Sequence, residues 1–134
     1  MNHPTRHLQR LLEDLALASD VRSKVSAIVL DENGRVISTG HNRLMRVRLI
    51  NSKRTASEYT VHAEHDCLRT LPRRSRSKTI IVFKLNRTGL WRNGHPCLSC
   101  MHLIQSWGIR EVLYSDDEDE YHLPRWKRIR LDYE

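Results

Sequence analysis

The 134-residue sequence predicts an α/β protein built on a mixed five-stranded sheet. Three observations carry that expectation. The turn Asp31-Glu32-Asn33-Gly34 lies between two short apolar runs, which marks a β-hairpin. Thr79 to Leu85 is a β-branched, apolar run of the kind found in central strands buried on both faces. Helical and extended patterns then follow in the order helix, strand, strand, helix, strand, helix, strand, strand. A chain of this length holds one core and is too short for two, so residues 1–134 are expected to form a single domain.

Arg6 to Ala18 carries Leu8, Leu11, Leu12 and Leu15 on one face at helical spacing, and Ser19-Asp20 breaks the pattern. Ser26 to Leu30 and Arg35 to Thr39 are the two hairpin strands. Arg43 to Thr60 is polar, basic and poorly periodic. It is expected to be a long loop with a short helical piece around Leu44 to Leu49. Val61 to Leu71 returns to helix, offers Ala63, Cys67, Leu68 and Leu71 for burial, and stops at Pro72. After the central strand, Arg87 to His95 is a loop, and Pro96 suits the first turn of a helix that Gly108 closes. Ile109 to Tyr114 is a strand and the five acids Asp116 to Glu120 are an exposed turn. Trp126 to Leu131 is a last edge strand, expected to run antiparallel to its neighbour.

Apolar content of 39% is ordinary for a globular chain. No apolar run approaches the roughly 20 residues that span a bilayer, and the first residues lack a signal-peptide core, so no membrane partner and an intracellular location are expected. The three cysteines, Cys67, Cys97 and Cys100, are an odd number, and the tight last pair points to metal or redox chemistry. The net charge of +7 is unevenly spread. No acid lies between Asp66 and Glu111, a stretch holding Arg69, Arg73, Arg74, Arg76, Lys78, Lys84, Arg87, Arg92 and Arg110. A second basic run holds Arg43, Arg46, Arg48, Lys53 and Arg54. Such runs either attract phosphate or solvate a face.

Two segments carry chemistry: His62-Ala63-Glu64 and Pro96-Cys97-Leu98-Ser99-Cys100, each opening a helix, with 31 residues between Glu64 and Pro96. Cysteines three apart at a helix start can converge on one metal. The unpaired N–H groups there favour thiolates. His62 can point at the same spot. Three protein ligands leave the fourth position of a zinc ion for water, whose pKa falls to roughly 7. Glu64 is then free to shuttle protons. Alone, C-x-x-C could be redox-active or structural zinc, and a closed structural site would draw its fourth ligand from His65, Cys67, His95 or His102. Cys67 reads instead as a small core residue, and His95 as a loop histidine at the site edge.

Together the segments match the H-x-E … P-C-x-x-C signature of the zinc deaminases. From about Lys24 to Leu131 the chain resembles the cytidine deaminase-like superfamily. That resemblance implies a three-layer fold, with a sheet and both motif helices on one face. It also implies Zn2+ held by His62, Cys97 and Cys100, with Glu64 as the catalytic proton shuttle. Asn42, in Gly40-His41-Asn42-Arg43, matches an asparagine that binds the sugar in many members, and Ala63 falls on the substrate side of the motif. Three departures stand out. Asn93-Gly94-His95 replaces the T-L-E that precedes the P-C of deoxycytidylate and tRNA adenosine deaminases. The fifth strand is expected to be antiparallel, as in free-nucleoside cytidine deaminases. The N-x-E of that last branch is absent, since Arg43-Leu44 follows Asn42.

The expected activity is hydrolytic deamination of a cytosine-type base, presented as free (deoxy)cytidine or its monophosphate. The compact size and the lack of an added nucleic-acid module favour that small-molecule partner. The rival is a deaminase acting on RNA or single-stranded DNA, favoured by net charge and by the basic loops flanking the motifs. A non-catalytic protein that kept the fold is the third alternative, against which Glu64 counts. Relatives commonly form homo-oligomers, and an edge strand with an exposed Trp126 is compatible with that.

Overall fold

The computed structural model describes residues 1–47, 57–72, 77–118 and 125–131. Three helices are present there: α1 (Arg6–Leu17), α2 (Ala63–Leu68) and α3 (Leu98–Ser106). Eight strands accompany them: β1 (Lys24–Asp31), β2 (Val36–His41), β3 (Arg43–Val47), β4 (Ser57–Val61), β5 (Ser77–Leu85), β6 (Trp91–Arg92), β7 (Glu111–Ser115) and β8 (Trp126–Arg130). The main sheet has the order β2-β1-β5-β7-β8, with the short β6 added to β5. Among the described strands only β5 and β7 pair in parallel; β8 returns antiparallel on β7, as the acidic run between them implied. The sheet is therefore mixed, and the fold is the expected cytidine deaminase-like one.

Side chains alternate across the sheet and sort its two faces. Ile28, Leu30, Ile81, Phe83 and Leu113 point to the face covered by Leu8, Leu12 and Ala16 of α1. Ala27, Val29, Ile80, Val82, Val112 and Tyr114 point to the other, beneath Ala63, Cys67 and Leu68 of α2 and Ile104 of α3. The result is three layers, with both motif helices on one face. Helix α1 begins where Thr5 Oγ1 accepts from Leu8 N–H. Ser26, buried in β1, donates to the Leu12 carbonyl and ties the same helix to the sheet. The hairpin turn closes at Gly34, whose φ of 78° suits glycine, while Asp31 Oδ1 accepts from Asn33 and Arg35 N–H.

Four expectations need correction. The long loop after Asn42 is bounded by a two-stranded antiparallel sheet, β3 with β4, in register from Arg43↔Val61 to Val47↔Ser57. No helix forms at Leu44 to Val47; the rest of that helical expectation, Arg48 and Leu49, lies outside the described residues. A strand of this kind is fixed by its cross-strand partner, which local periodicity does not reveal. Strand β6 was not expected either, being two residues long. Trp126 is half-buried: its ring meets Trp91 edge-on at 5.3 Å and Phe83 at 6.1 Å, which removes the exposed aromatic from the edge strand. Finally, Asp117 is exposed as expected, but Asp116 and Glu118 are half-buried, and all three carboxylates accept from Asn93 or Trp91 near the site, as described below. Of the basic runs, Arg48, Lys53, Arg54, Arg73, Arg74 and Arg76 lie outside the described residues, as do Asp119 and Glu120. Among the described residues, no helix is long and apolar enough to cross a membrane.

Candidate functional site

The two motifs meet because each delivers its first ligand at a helix N-cap. His62 caps α2 and Cys97 caps α3, both in extended backbone, and neither spends its side chain on a capping hydrogen bond. Ordinary caps use Ser, Thr, Asp or Asn for that purpose. Here the caps are made by backbone alone: the His62 carbonyl accepts from Asp66 N–H at 2.9 Å and the Cys97 carbonyl from Met101 N–H at 2.8 Å. Both side chains are left to face each other. Cys100 follows one turn into α3 and is buried, whereas His62 and Cys97 are exposed toward the opening.

Close backbone approach fixes where α2 lies. A Cβ placed on Gly40 of β2 would stand 2.5 Å from Cys67 N and 2.8 Å from Ala63 O, so only glycine lets the strand lie this close to the helix. Ser38 Oγ, two residues earlier on β2, donates to the Cys67 carbonyl. Asp66 adds an ionic tie, pairing with Arg43 Nε at 3.3 Å and Arg69 Nε at 3.2 Å and accepting from His41 N–H.

His62 Nδ1 lies 3.3 Å from Cys100 Sγ and 3.7 Å from Cys97 Sγ. A tetrahedral zinc ion with bonds of about 2.05 Å to nitrogen and 2.3 Å to sulfur would hold such atoms about 3.6 Å apart, so the donor set fits zinc in both element type and spacing. All three ligand atoms fall within 4.8 Å of one another, and no fourth His, Cys, Asp or Glu among the described residues joins them. His65, Cys67, His95 and His102, the candidates for a closed structural site, are thus not ligands. Cys67 is fully buried in the core, where desolvation pushes its thiol up to about 12. Burial, followed by the neighbouring Glu64 carboxylate, also pushes the Cys100 thiol well up. A metal ion would have to displace that proton to bind.

Beside this group opens a cavity of about 400 Å³. His62, Ala63, Glu64 and Cys97 form one wall, Ser23, Val25 and Asn42 a second, and Lys84 with Asn93, Gly94 and His95 a third. Glu64 is 5% exposed. Its place at the start of α2 sets it next to the ligands without making it one. Asn42, also buried, is heavily engaged: Oδ1 accepts from Ser19 Oγ at 2.6 Å and Val25 N–H at 2.9 Å, and Nδ2 donates to the Ser23 carbonyl at 2.6 Å. It locks the segment after α1 to the end of β2, leaving one amide hydrogen for anything else. All the sequence-predicted residues, His62, Ala63, Glu64, Cys97, Cys100 and Asn42, are therefore brought to one place.

Residues that the sequence did not single out hold the third wall. Asp117 Oδ1 accepts from Asn93 N–H, Asp116 Oδ1 from Asn93 Nδ2, and Glu118 Oε1 from Trp91 N–H. Burial opposes ionisation of Asp116, but the Asp117 N–H, Asn93 and Lys127 outweigh it and hold its carboxyl below the usual range. Fully buried Ser115 accepts from Lys84 N–H through Oγ, donates from Oγ to the Arg92 carbonyl, and accepts from Gly94 N–H at its own carbonyl.

Among curated proteins, none matches the chain significantly. The family model for the cytidine and deoxycytidylate deaminase zinc-binding region matches residues 1–116. With its His/Cys/Cys group arranged for a metal ion, the chain belongs to the cytidine and deoxycytidylate deaminase family of zinc-binding proteins, and it is a zinc-dependent deaminase domain.

Proposed function

We propose that the protein hydrolyses the exocyclic amine of a cytosine base presented as free cytidine, deoxycytidine or a monophosphate of either. The observation that carries this reading is the cavity of about 400 Å³ that Glu64, Asn42 and Lys84 line together with His62 and Cys97. Its size is at the small end of ligand pockets and suits one nucleoside or nucleotide. His62, Cys97 and Cys100 would hold zinc, which supplies Lewis acidity that makes a water molecule nucleophilic at neutral pH.

The chain's own residues do the rest. The Glu64 carboxylate accepts the proton of the attacking water, passes it to ring N3, and then carries the second proton to the departing amine. The C4–N4 bond breaks, ammonia leaves, and the water oxygen remains as the C4 carbonyl. Ala63 lies between ligand and shuttle, forming the floor on which the base rests. The remaining amide hydrogen of Asn42 serves the sugar. Lys84, the one lysine or arginine on the cavity wall among the described residues, serves a phosphate or the sugar.

Ammonia release from deoxycytidine, deoxycytidine monophosphate, single-stranded oligonucleotides and tRNA, at two salt concentrations, tests this. Turnover of the small substrates is expected. Turnover of polynucleotides alone, falling steeply with salt as counterion release requires, would replace this reading with the polynucleotide one. No turnover of any of them, by zinc-loaded protein, would defeat both.

A further inference from the structure

The two exposed zinc ligands, His62 and Cys97, both sit at helix N-caps without a side-chain cap, so something else must fix the backbone that carries each. For His62 the sheet does so: Val61, just before it, is held in the β3–β4 ladder opposite Arg43. Cys97 follows a loop instead, and its predecessor is the buried Pro96. The proline ring locks φ at about −65°, which leaves ψ as the soft torsion of that residue. Rotation about it turns the Pro96 carbonyl and swings Cys97 with it.

His95 holds that carbonyl. Its Nδ1 lies 2.7 Å from Pro96 O. A carbonyl oxygen only accepts, so Nδ1 carries the proton and donates. The histidine is itself tied down, although it is exposed. Its backbone N–H donates to Asn93 Oδ1 at 2.9 Å, and its ring meets the Tyr114 ring edge-to-face at 5.1 Å with an interplanar angle of 74°. Asn93 is fixed in turn by Asp116 and Asp117, and Gly94 N–H donates to the Ser115 carbonyl at 2.8 Å. A continuous set of restraints thus runs from Tyr114 to Asp117, through His95, to the peptide that carries Cys97.

We infer that His95 is a positioning residue for the metal site: its Nδ1–H, donated to the Pro96 carbonyl, sets the orientation in which Cys97 Sγ meets His62 Nδ1 and Cys100 Sγ. It acts one peptide away from the ligand and is not one of the group that could hold the ion. Partners that orient a metal ligand are typically worth about 10–100-fold in metal affinity. A restraint on the backbone beside the ligand, and not on the ligand atom, belongs at the low end of that range. The inference rests on zinc binding by His62, Cys97 and Cys100; it does not depend on which base the domain deaminates.

Zinc affinity of the full chain, read by competition with a chromophoric chelator, separates this role from a merely structural one. Asparagine carries its N–H on an atom bonded to Cγ, as histidine does at Nδ1, whereas glutamine carries it one bond further out. His95→Ala is expected to weaken zinc binding about tenfold. His95→Asn should restore most of that loss, because its amide can donate to the same Pro96 carbonyl, while His95→Gln should bind no better than His95→Ala. Both amide variants lose the ring and its contact with Tyr114, so the difference between them reads the hydrogen bond alone. That comparison stands even if His95→Ala is too unstable to purify. Wild-type affinity in His95→Ala, or equal affinities in the asparagine and glutamine variants, would overturn the inference. A wild-type chain that binds no zinc would contradict the metal site itself and remove the inference with it.

Discussion

The two faces of one sheet are built on different principles. Against α1 the sheet presents large side chains: Ile28, Leu30, Ile81 and Phe83, extended by Trp91 and Trp126. Against α2 the sheet mixes large residues, Ile80, Val82 and Tyr114, with the small contacts Ala27, Ala63 and Cys67, and Gly40 allows backbone to lie almost on backbone. Both faces bury apolar area and so stabilise the fold. The second adds closeness, and closeness is what sets His62 and Glu64 against Cys97 and Cys100. The α1 face serves packing, while the α2 face serves packing and chemistry together.

Substitutions can break that division or sharpen it. The largest effect is expected at Glu64. Glu64→Gln keeps the shape but removes the shuttle, and activity should fall by about 10²–10⁴-fold with zinc content and melting temperature unchanged. Leu12→Ala, on the packing face, should cost about 2–5 kcal/mol in denaturant unfolding while zinc stoichiometry stays at the wild-type value. Gly40→Ala should do the reverse in kind. Its Cβ meets backbone at 2.5 Å, so α2 must move, with a stability loss of about 1–3 kcal/mol accompanied by weakened zinc retention in a chelator competition. If Leu12→Ala released zinc as readily as Gly40→Ala, the two faces would not be separable.

The smallest effect concerns the third wall of the cavity. The Asp116 carboxyl is held below the usual carboxylate range by the Asp117 N–H, Asn93 and Lys127 against the opposing effect of burial, so the folded state favours its ionised form. That contribution is present above the unfolded value and is lost as pH falls through the folded one. The melting-temperature difference between wild type and Asp116→Asn should accordingly be constant near neutrality and shrink at acid pH below about 4. A difference that grew on acidification would contradict the assignment.

Much of this was legible in the sequence, for physical reasons that differ by element. The zinc group was readable because metal ligation restricts both residue type and spacing, and its two segments each open a helix. The hairpin at Asp31 to Gly34 and the continuous apolar run of β5 were readable because local sterics and burial fix them. The β3–β4 pair was not, since its stability lies in cross-strand contacts between segments ten residues apart or more. Nor were the roles of Asp116 to Glu118 readable: a run of acids looks solvent-directed until the 91–93 backbone is brought against it. Resemblance singled out Asn42 for a sugar, whereas its hydrogen bonds to Ser19, Ser23 and Val25, which make it a clamp between segments distant in sequence, were not legible.

The central claim is that His62, Cys97 and Cys100 form an open three-ligand zinc site. Metal analysis of purified wild type, with Cys97→Ala and His65→Ala measured beside it, tests it most directly. The account predicts about one zinc per chain in wild type and in His65→Ala, and near-complete loss in Cys97→Ala. Zinc absent from wild type, or lost equally from His65→Ala, would contradict it.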